Sequence, residues 1–447
     1  MAIKTIIIAN IAEAFEDTLN RVKSSQQKLR RIQIEHNLCD RTLLWEGDDK
    51  IVITPFSISK EIFQRNADAL GFKNVFNLYP RKITISLSDA IKEDKILFSK
   101  LCKIINENPG IRITPYCVTK KFLLLSESFK KKGLSFTLEE RPVRSSDWLV
   151  RYLDSKVGSR SEVNKIQDIK IKVPESVICR DKDEVTSVVK WFYENNRSCV
   201  IKANYGESGW GLIIIKRSLF ENFIAVINRI KREFKKDSIW EKELILVEEF
   251  IEPNKIFSSG SPSSELFLSG DGAKITYLCD QLLGENGEFW GVVLGCVLLN
   301  NKISKEIYKV SLAIGKRFWQ LGYRGFFDID FVLSKNNEPY IIETNTRRTG
   351  GTHVYDVAKT IFGNDWAKTA FIVSQDNFQY GKKKLREAQI IDKMMNIMYP
   401  IKGKKEGIII SIINKWQPTF GFIIVSSSRK RMLEIRNQLL RIWCIKN

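Results

Sequence analysis

The first third of the chain alternates short apolar runs with apolar residues at helical spacing. The apolar runs predict strands over residues 4–9, 50–54 and 111–115. Helical spacing predicts helices over residues 12–29, 59–70, 94–106 and 119–132. Strands that alternate with helices are typical of α/β layers with a parallel sheet. No glycine-rich fingerprint occurs in this part of the sequence.

The rest of the chain continues the mixed pattern after a polar stretch at 140–147, which predicts a linker. The predicted helices cover 148–155, 188–193, 219–234 and 303–321, and the predicted strands cover 199–203, 212–216, 244–250, 275–278, 291–299, 326–333 and 340–343. The last two strands form a hairpin about residues 335–337. From about residue 388, two strands (407–413, 419–426) and a helix (429–443) predict a small α/β appendage. The predicted domains are therefore 1–145, 146–385 and 386–447.

Composition agrees with a globular protein of two or three domains, since the chain has 447 residues, of which 43% are hydrophobic and 28% charged. No apolar run approaches the 18 residues of a membrane span. The apolar start is too short for a signal peptide and is expected to be a strand. The eight cysteines form no C-x-x-C pair and there are only two histidines, so we expect reduced thiols, no zinc site and a cytoplasmic location.

The net charge of +20 raises the question of an anionic partner. The basic residues are dispersed and form no long tail or helical stripe, so compositional drift toward lysine is the first interpretation. An anionic substrate or a steering field is the second. Nucleic-acid binding is the third and is not expected.

A glycine-rich segment between two predicted strands is the first candidate for chemistry. Strand residue Lys202 is followed by a loop that carries Gly206, Gly209 and Gly211. Backbone N–H groups of such a turn can approach phosphate oxygens closely, and the lysine adds a point charge. The segment is not a Walker loop, because G-K-[ST] is missing and a strand follows. An ordinary glycine-rich hairpin is the alternative.

An acid-rich hairpin is the second candidate. Asp330 and Glu343 are expected at facing positions of adjacent strands, and Asn345 lies two residues after Glu343 and therefore on the same face. Two carboxylates and an amide oxygen are hard ligands that suit Mg²⁺. The flanking residues are strongly apolar, so these acids are expected at the edge of a core, where unpaired charge is costly. A solvated surface hairpin is the alternative.

Together these segments resemble the ATP-grasp superfamily, in which a small subdomain, here about 187–252, clamps ATP against a larger one that holds the metals. The resemblance implies a Rossmann-like pre-ATP-grasp domain, an ATP-grasp domain and a small C-terminal α/β domain. The implied metal ligands are Asp330, Glu343 and Asn345. The implied cofactor-binding residues are Lys156, Lys202, Gly206, Ser208, Gly209, Gly211, Glu248, Glu249, Ile251 and Glu265, the last as a ribose-binding acid.

The stretch from Arg347 to His353, together with two Thr-Pro motifs in the first third, is similar to the pheganomycin-type peptide ligases. This resemblance implies that Arg347 orients the transferring phosphate or the substrate carboxylate. Arg348 departs from the pattern, since a smaller residue is expected there, and it is included among the catalytic candidates. His353 either deprotonates the incoming amine or makes a structural hydrogen bond.

The resemblance implies an ATP- and Mg²⁺-dependent carboxylate–amine ligase that forms an amide through an acyl phosphate and releases ADP and phosphate. The expected partners are amino acids or peptides, with a homodimer as the expected assembly and no membrane partner. One alternative is a ligase that modifies a peptide or protein after translation. Another is a nucleotide-binding scaffold without catalysis, against which the intact lysines and acids argue.

Overall fold

The computed structural model describes residues 2–143, 146–207, 209–241, 243–255, 260–285, 287–295 and 301–444. Three β-sheets with helices packed against them organise these residues. Within the described ranges, every helix is too short or too polar to cross a membrane.

The N-terminal sheet is parallel, with strand order β3-β2-β1-β4. Its strands are β1 (Thr5–Ile8), β2 (Lys50–Ile53), β3 (Val75–Leu78) and β4 (Arg112–Pro115). Its helices are α1 (Ile11–Ala14), α2 (Glu16–Arg21), α3 (Ser25–Leu38), α4 (Lys60–Leu70), α5 (Leu87–Glu93), α6 (Lys95–Glu107) and α7 (Lys120–Lys130). Side-chain caps from Ser59, Asp94 and Thr119 begin three of them, at the residues where the predicted helices start.

The single helix predicted over 12–29 is wrong, because the structure divides this stretch into three helices. Phe15 ends α1, and Val22 adopts an extended conformation that ends α2. Ser24 then accepts a hydrogen bond from the backbone N–H of Gln27 and so caps α3, which continues to Leu38. The apolar spacing was maintained across the breaks, so periodicity alone did not reveal them.

The second sheet is antiparallel and has the order β5-β8-β6-β7. It comprises β5 (Ser176–Cys179), β6 (Cys199–Glu207), β7 (Trp210–Ile215) and β8 (Ile245–Glu249). Two helices, α10 (Lys182–Glu194) and α11 (Phe223–Lys236), cover it, and α8 (Leu149–Asp154) and α9 (Lys156–Val163) precede it. This unit is called the clamp below. Helix α9, which begins at Lys156, was not predicted.

The third sheet is antiparallel, with the order β13-β12-β9-β10-β11-β14-β16-β15. Its strands are β9 (Pro262–Ser269), β10 (Gly272–Leu283), β11 (Phe289–Gly295), β12 (Gly325–Leu333), β13 (Pro339–Asn345), β14 (Phe371–Gln379), β15 (Gly407–Ile413) and β16 (Thr419–Ser426). Its helices are α12 (Asn301–Gln320), α13 (Thr352–Phe362), α14 (Trp366–Thr369), α15 (Glu387–Met394) and α16 (Arg429–Ile442). The predicted hairpin is β12–β13, and the predicted 291–299 strand extends beyond the described residues after Gly295.

Strand β9 was missed, because its serine-rich start does not read as a strand, although it forms the centre of the third sheet beside β12. The two strands of the predicted C-terminal appendage continue this sheet, since β16 pairs with β14. Ile423 on β16 shares a buried core with Leu294 and Val357 from the preceding part of the chain. Another core runs from Ile7 of the N-terminal sheet to Phe327 of the hairpin. The chain therefore packs through shared cores.

Replacing Ile423 by alanine should lower the free energy of unfolding by about 2–5 kcal/mol, because the side chain is fully buried between β16 and α13. The matched control is Ile178→Ala, since Ile178 is a strand isoleucine that is 50% exposed, and its cost should stay below about 1 kcal/mol. Denaturant unfolding of both variants gives the comparison. Equal stabilities would contradict a shared core.

Candidate active site

Four polar side chains form a square on one face of the β12–β13 hairpin. Asp330 pairs with Glu343 and Asp328 pairs with Asn345, and residues two apart on a strand face the same side. The amide nitrogen of Asn345 donates to Asp328 at 3.2 Å and to Asp330 at 3.1 Å. The predicted facing arrangement is confirmed, and Asp328 joins it.

The acids of this square are held in surroundings that penalise negative charge. Burial raises the pKa of Asp328 to about 6, and the charge of Glu265 adds to the effect. Burial also raises the pKa of Asp330 well above its usual range, with the charges of Asp328 and Glu343 next in importance. Neighbouring carboxylates in a poorly solvated site favour a bound cation.

Two buried lysines face carboxylates around the square. Lys156, the first residue of α9, forms an ion pair with Glu343 at 3.0 Å and donates to the carbonyl oxygen of Gly206 at 2.7 Å. Lys202 on β6 forms an ion pair with Glu248 on β8, which also accepts from Arg160 at 2.9 Å. Burial lowers the pKa of Lys202, and its acidic neighbours oppose this. A polyanion could therefore replace a carboxylate as the partner of each ammonium group.

The glycine-rich turn between β6 and β7 extends over these lysines. Gly211 has a φ of +78°, a conformation that favours glycine, and a Cβ there would lie 2.8 Å from that of Ala203. Trp210 packs under the Arg31 guanidinium, 3.7 Å from the ring centroid, and its indole N–H donates to Asp237. The turn is thus attached to α3 of the N-terminal region. Ser208, a predicted phosphate ligand, lies outside the described residues.

Two adjoining cavities meet at Lys202. The larger, about 1100 Å³, lies between the clamp and the third sheet, and Glu248, Glu249 and Ile251 line it as predicted for the hinge. The smaller, about 400 Å³, lies beside the hairpin acids. The predicted residues that line this smaller cavity are Lys156, Lys202, Gly206, Gly209, Gly211, Asp330, Glu343, Asn345 and Arg347. It is called the reaction cavity below.

Arg347 links the hairpin to the reaction cavity. Its guanidinium donates to the side-chain oxygen of Asn345 at 2.9 Å, pairs with Asp154 and lies over the ring of Phe15. Gly350 follows it in the cavity wall, and a Cβ there would lie 2.4 Å from the Phe289 ring. This glycine is therefore required by close packing.

Arg348, which was predicted to be catalytic, lines neither cavity, and its side chain is 1% exposed. It donates to Glu140 at 2.8 Å, to the carbonyl oxygen of Pro115 and to Glu46 at 3.3 Å, and it lies over the ring of Phe326. Burial raises the pKa of Glu140 to about 7, and the Arg348 charge opposes this. Arg348 therefore joins the N-terminal region to the hairpin.

Two other predicted residues also lie outside both cavities. His353 is fully buried on α13, its ring nitrogens have no hydrogen-bond partner among the described residues, and Asp376 is 3.8 Å away. Burial lowers the pKa of His353 well below its usual value, so the ring is neutral. Glu265 is covered by Tyr277 and Thr352, whose hydroxyls donate to it. The predicted base and the predicted ribose ligand therefore line neither cavity.

Sequence reasoning missed three side chains that contact the hairpin acids. Ser263 on β9 donates to Asp328 at 2.6 Å, and Gln281 on β10 donates to Asp330. No local sequence pattern indicated a role for either residue, since β9 was not predicted and β10 was predicted too short to include Gln281. Asp328 did have one, because it lies two residues before Asp330 on the same strand.

Comparison with known proteins agrees with this geometry. Residues 160–351 match the family model for the ATP-grasp domain. A [butirosin acyl-carrier protein]–L-glutamate ligase of Niallia circulans is 28% identical over 157 residues, which is 35% of this chain and 34% of that protein. An L-propargylglycine–L-glutamate ligase of Streptantibioticus cattleyicolor is 28% identical over 118 residues, 26% of this chain and 23% of that protein.

The fold also resembles solved structures. The biotin carboxylase domain of the Hydrogenobacter thermophilus 2-oxoglutarate carboxylase, in complex with MgADP, aligns with a TM-score of 0.55 at 13% identity, covering 99% of this chain and 90% of that chain. The predicted α/β architecture of the ATP-grasp fold is thereby confirmed. The match to the ATP-grasp domain model is confined to residues 160–351, and the matched segments span only about a third and a quarter of the two curated relatives.

Replacing Arg348 by methionine should lower the free energy of unfolding by about 3–5 kcal/mol, because the buried Glu140 would lose its ion-pair partner and Glu46 would keep, among the described residues, only Arg112. Arg180→Met is the matched control, since Arg180 makes an exposed ion pair within one helix turn, and it should cost less than about 1 kcal/mol. Chemical unfolding measures both. A stable Arg348→Met protein with reduced turnover would favour a catalytic role instead.

Proposed function

We propose that this protein is an ATP-dependent carboxylate–amine ligase that forms an amide through an acyl phosphate. The observation that carries the proposal is the convergence of Lys156, Lys202 and the hairpin acids on one cavity beneath a glycine-rich turn. The lysines come from α9 and β6 and the acids from β12 and β13, so distant parts of the chain meet there. Such a site suits phosphoryl transfer, which depends mainly on positioning and charge stabilisation.

The hairpin residues fit a magnesium ion by their chemistry. Asp328 and Asp330 are crowded acids, and Asn345 places an amide between them, where a cation would relieve the repulsion. The described residues contain no preformed cluster of three His, Cys, Asp or Glu side chains arranged around a metal. Glu343 would therefore exchange Lys156 for the metal when nucleotide binds. When bound, Mg²⁺ would neutralise phosphate oxygens.

The protein residues then have separate tasks in the proposed reaction. Lys156 and Lys202 leave their carboxylate partners to bind phosphate oxygens, and the hinge at Glu249 and Ile251 lines the larger cavity, which has room for the nucleoside. Arg347 orients the substrate carboxylate, which attacks the γ-phosphorus and displaces ADP. An amine then attacks the acyl carbon, forms the C–N bond and displaces phosphate. The glycine-rich turn excludes water, which would hydrolyse the acyl phosphate.

The two curated relatives support an amino-acid substrate, because both are described as L-glutamate ligases. The similarity to the pheganomycin-type peptide ligases points in the same direction. We therefore propose L-glutamate as the first carboxylate to assay. ADP release with each amino acid, followed by mass spectrometry of the products, tests the ligase function itself.

A ligase that acts on a protein is the second candidate. One relative is named for an acyl-carrier protein, and a net charge of +20 would attract an acidic protein partner. This alternative expects a turnover that falls steeply as salt rises, since long-range steering is screened. Salt-insensitive turnover with free amino acids would favour the small-molecule ligase.

Asp330→Asn should reduce ATP-dependent ADP release by about 10²–10³-fold, because the variant loses a charge of the proposed magnesium site. Asp271→Asn is the matched control, as Asp271 is an exposed acid in the β9–β10 turn and its replacement should leave the rate unchanged. Steady-state rates across a magnesium titration measure both. An unaltered rate and an unaltered magnesium dependence in Asp330→Asn would contradict the proposal that Asp330 is a metal ligand.

Trp210→Ala should uncouple ATP use from amide formation, because the glycine-rich turn loses its contacts with Arg31 and Asp237 and admits water. The ratio of ADP released to amide formed should rise several-fold. Trp191→Ala is the control, since Trp191 is 43% exposed on α10 and lines neither cavity. A ratio that stays at one in Trp210→Ala would show that the turn does not exclude water through this residue.

A further inference from the structure

The reaction cavity has an acidic side chain that the proposed phosphoryl transfer does not use. Glu35 on α3 lines this cavity, on the wall that the N-terminal region contributes. Its side chain is half-buried, and among the described residues none donates a hydrogen bond to its carboxylate or forms an ion pair with it within 4 Å. A carboxylate that lines the cavity and has no partner in the described part of the chain is available to a ligand, and an ammonium group is the ligand that its charge would attract.

The nearby cations are already held by other acids. Arg41 forms an ion pair with Asp376 at 2.7 Å, and both side chains are at least nine-tenths buried. Arg347 is paired with Asp154 and bonded to Asn345. Arg31 faces Asp237 at 3.4 Å. These guanidinium groups lower the pKa of Glu35 through space, yet burial outweighs them and raises the pKa to about 7.

We propose that Glu35 binds the amino group of the acceptor substrate, a small amine that is cationic in water, such as the α-amino group of an amino acid. The inference rests on the proposed ligase function and specifies its second substrate. A carboxylate at this position would repel ATP and the donor carboxylate, and it would attract an ammonium group. Glu35 lines the same cavity as Arg347 and the hairpin acids, and the charge of Arg347 acts on it through space, so an amine held at Glu35 would share the cavity in which the acyl phosphate is proposed to form.

The same contact provides a route for the proton that must leave the amine. The ammonium N–H bond breaks, its proton moves to the Glu35 carboxylate, and the nitrogen lone pair becomes free to attack the acyl carbon. The C–N bond forms as the bond from carbon to the phosphate oxygen breaks, and phosphate leaves. A carboxyl group with a pKa near neutrality suits this transfer.

The test compares two nucleophiles on the same acyl phosphate. The enzyme is given ATP, Mg²⁺ and L-glutamate or each other proteinogenic amino acid as the carboxylate, and either hydroxylamine or an amino acid as the nucleophile. Hydroxylamine is uncharged at neutral pH and needs no ammonium site. In Glu35→Gln the ratio of amide to hydroxamate should fall about 10- to 100-fold, with a raised KM for the amine, because a charged hydrogen bond is lost.

Two further variants separate binding from folding. Glu35→Asp keeps the charge and should restore part of the ratio, whereas Glu93→Gln, an exposed glutamate on α5, should leave it unchanged. An equal loss of hydroxamate and amide in Glu35→Gln, or no change in either, would overturn the role in acceptor binding. If the wild-type enzyme forms neither product with any carboxylate, the proposed ligase function fails and the inference falls with it.

Discussion

The buried ion pairs of Arg348 with Glu46 and Glu140 are the constraint on which the site depends. They join the N-terminal region to the end of the β12–β13 hairpin, where a charge without a partner would be strongly destabilising. The adjacent residue, Arg347, points the opposite way, into the reaction cavity. One residue therefore fixes the position of the chain, and that fixed backbone directs its neighbour into the reaction cavity.

The buried lysines and acids inside the site are matched by opposite charges or by hydrogen bonds. Lys156 and Lys202 are buried beside Glu343 and Glu248, and the hairpin acids share the amide of Asn345. Each of these lysines and acids thus has an opposite charge or a hydrogen bond in the absence of nucleotide, which limits the cost of burying it. A triphosphate with its metal would replace these partners pair by pair, so binding exchanges ion pairs and does not create uncompensated charge.

Local sequence patterns predicted most of the architecture. The apolar runs and the helical spacing of the N-terminal third predicted three of its four strands and several helix starts, such as those at Ser59 and Thr119, whose side chains cap the helices in the structure. The 12–29 helix was wrong, since the extended backbone at Val22 interrupts a pattern that remains helical. Strand β9 was missed because its burial comes from neighbouring strands, which no local pattern records.

The sequence by itself determined the chemistry of the hairpin, because strand alternation and facing pairs place Asp330, Glu343 and Asn345 on one face whatever the surroundings. Only the tertiary structure decided which of the other candidates line the reaction cavity. Arg348 and His353 belong to the same sequence motif as Arg347, yet the side chains of both are buried in the packed interior. Glu35, which is distant in the sequence, lines the cavity. The direction of a side chain outside a regular pair depends on what packs against it, and that information is not local.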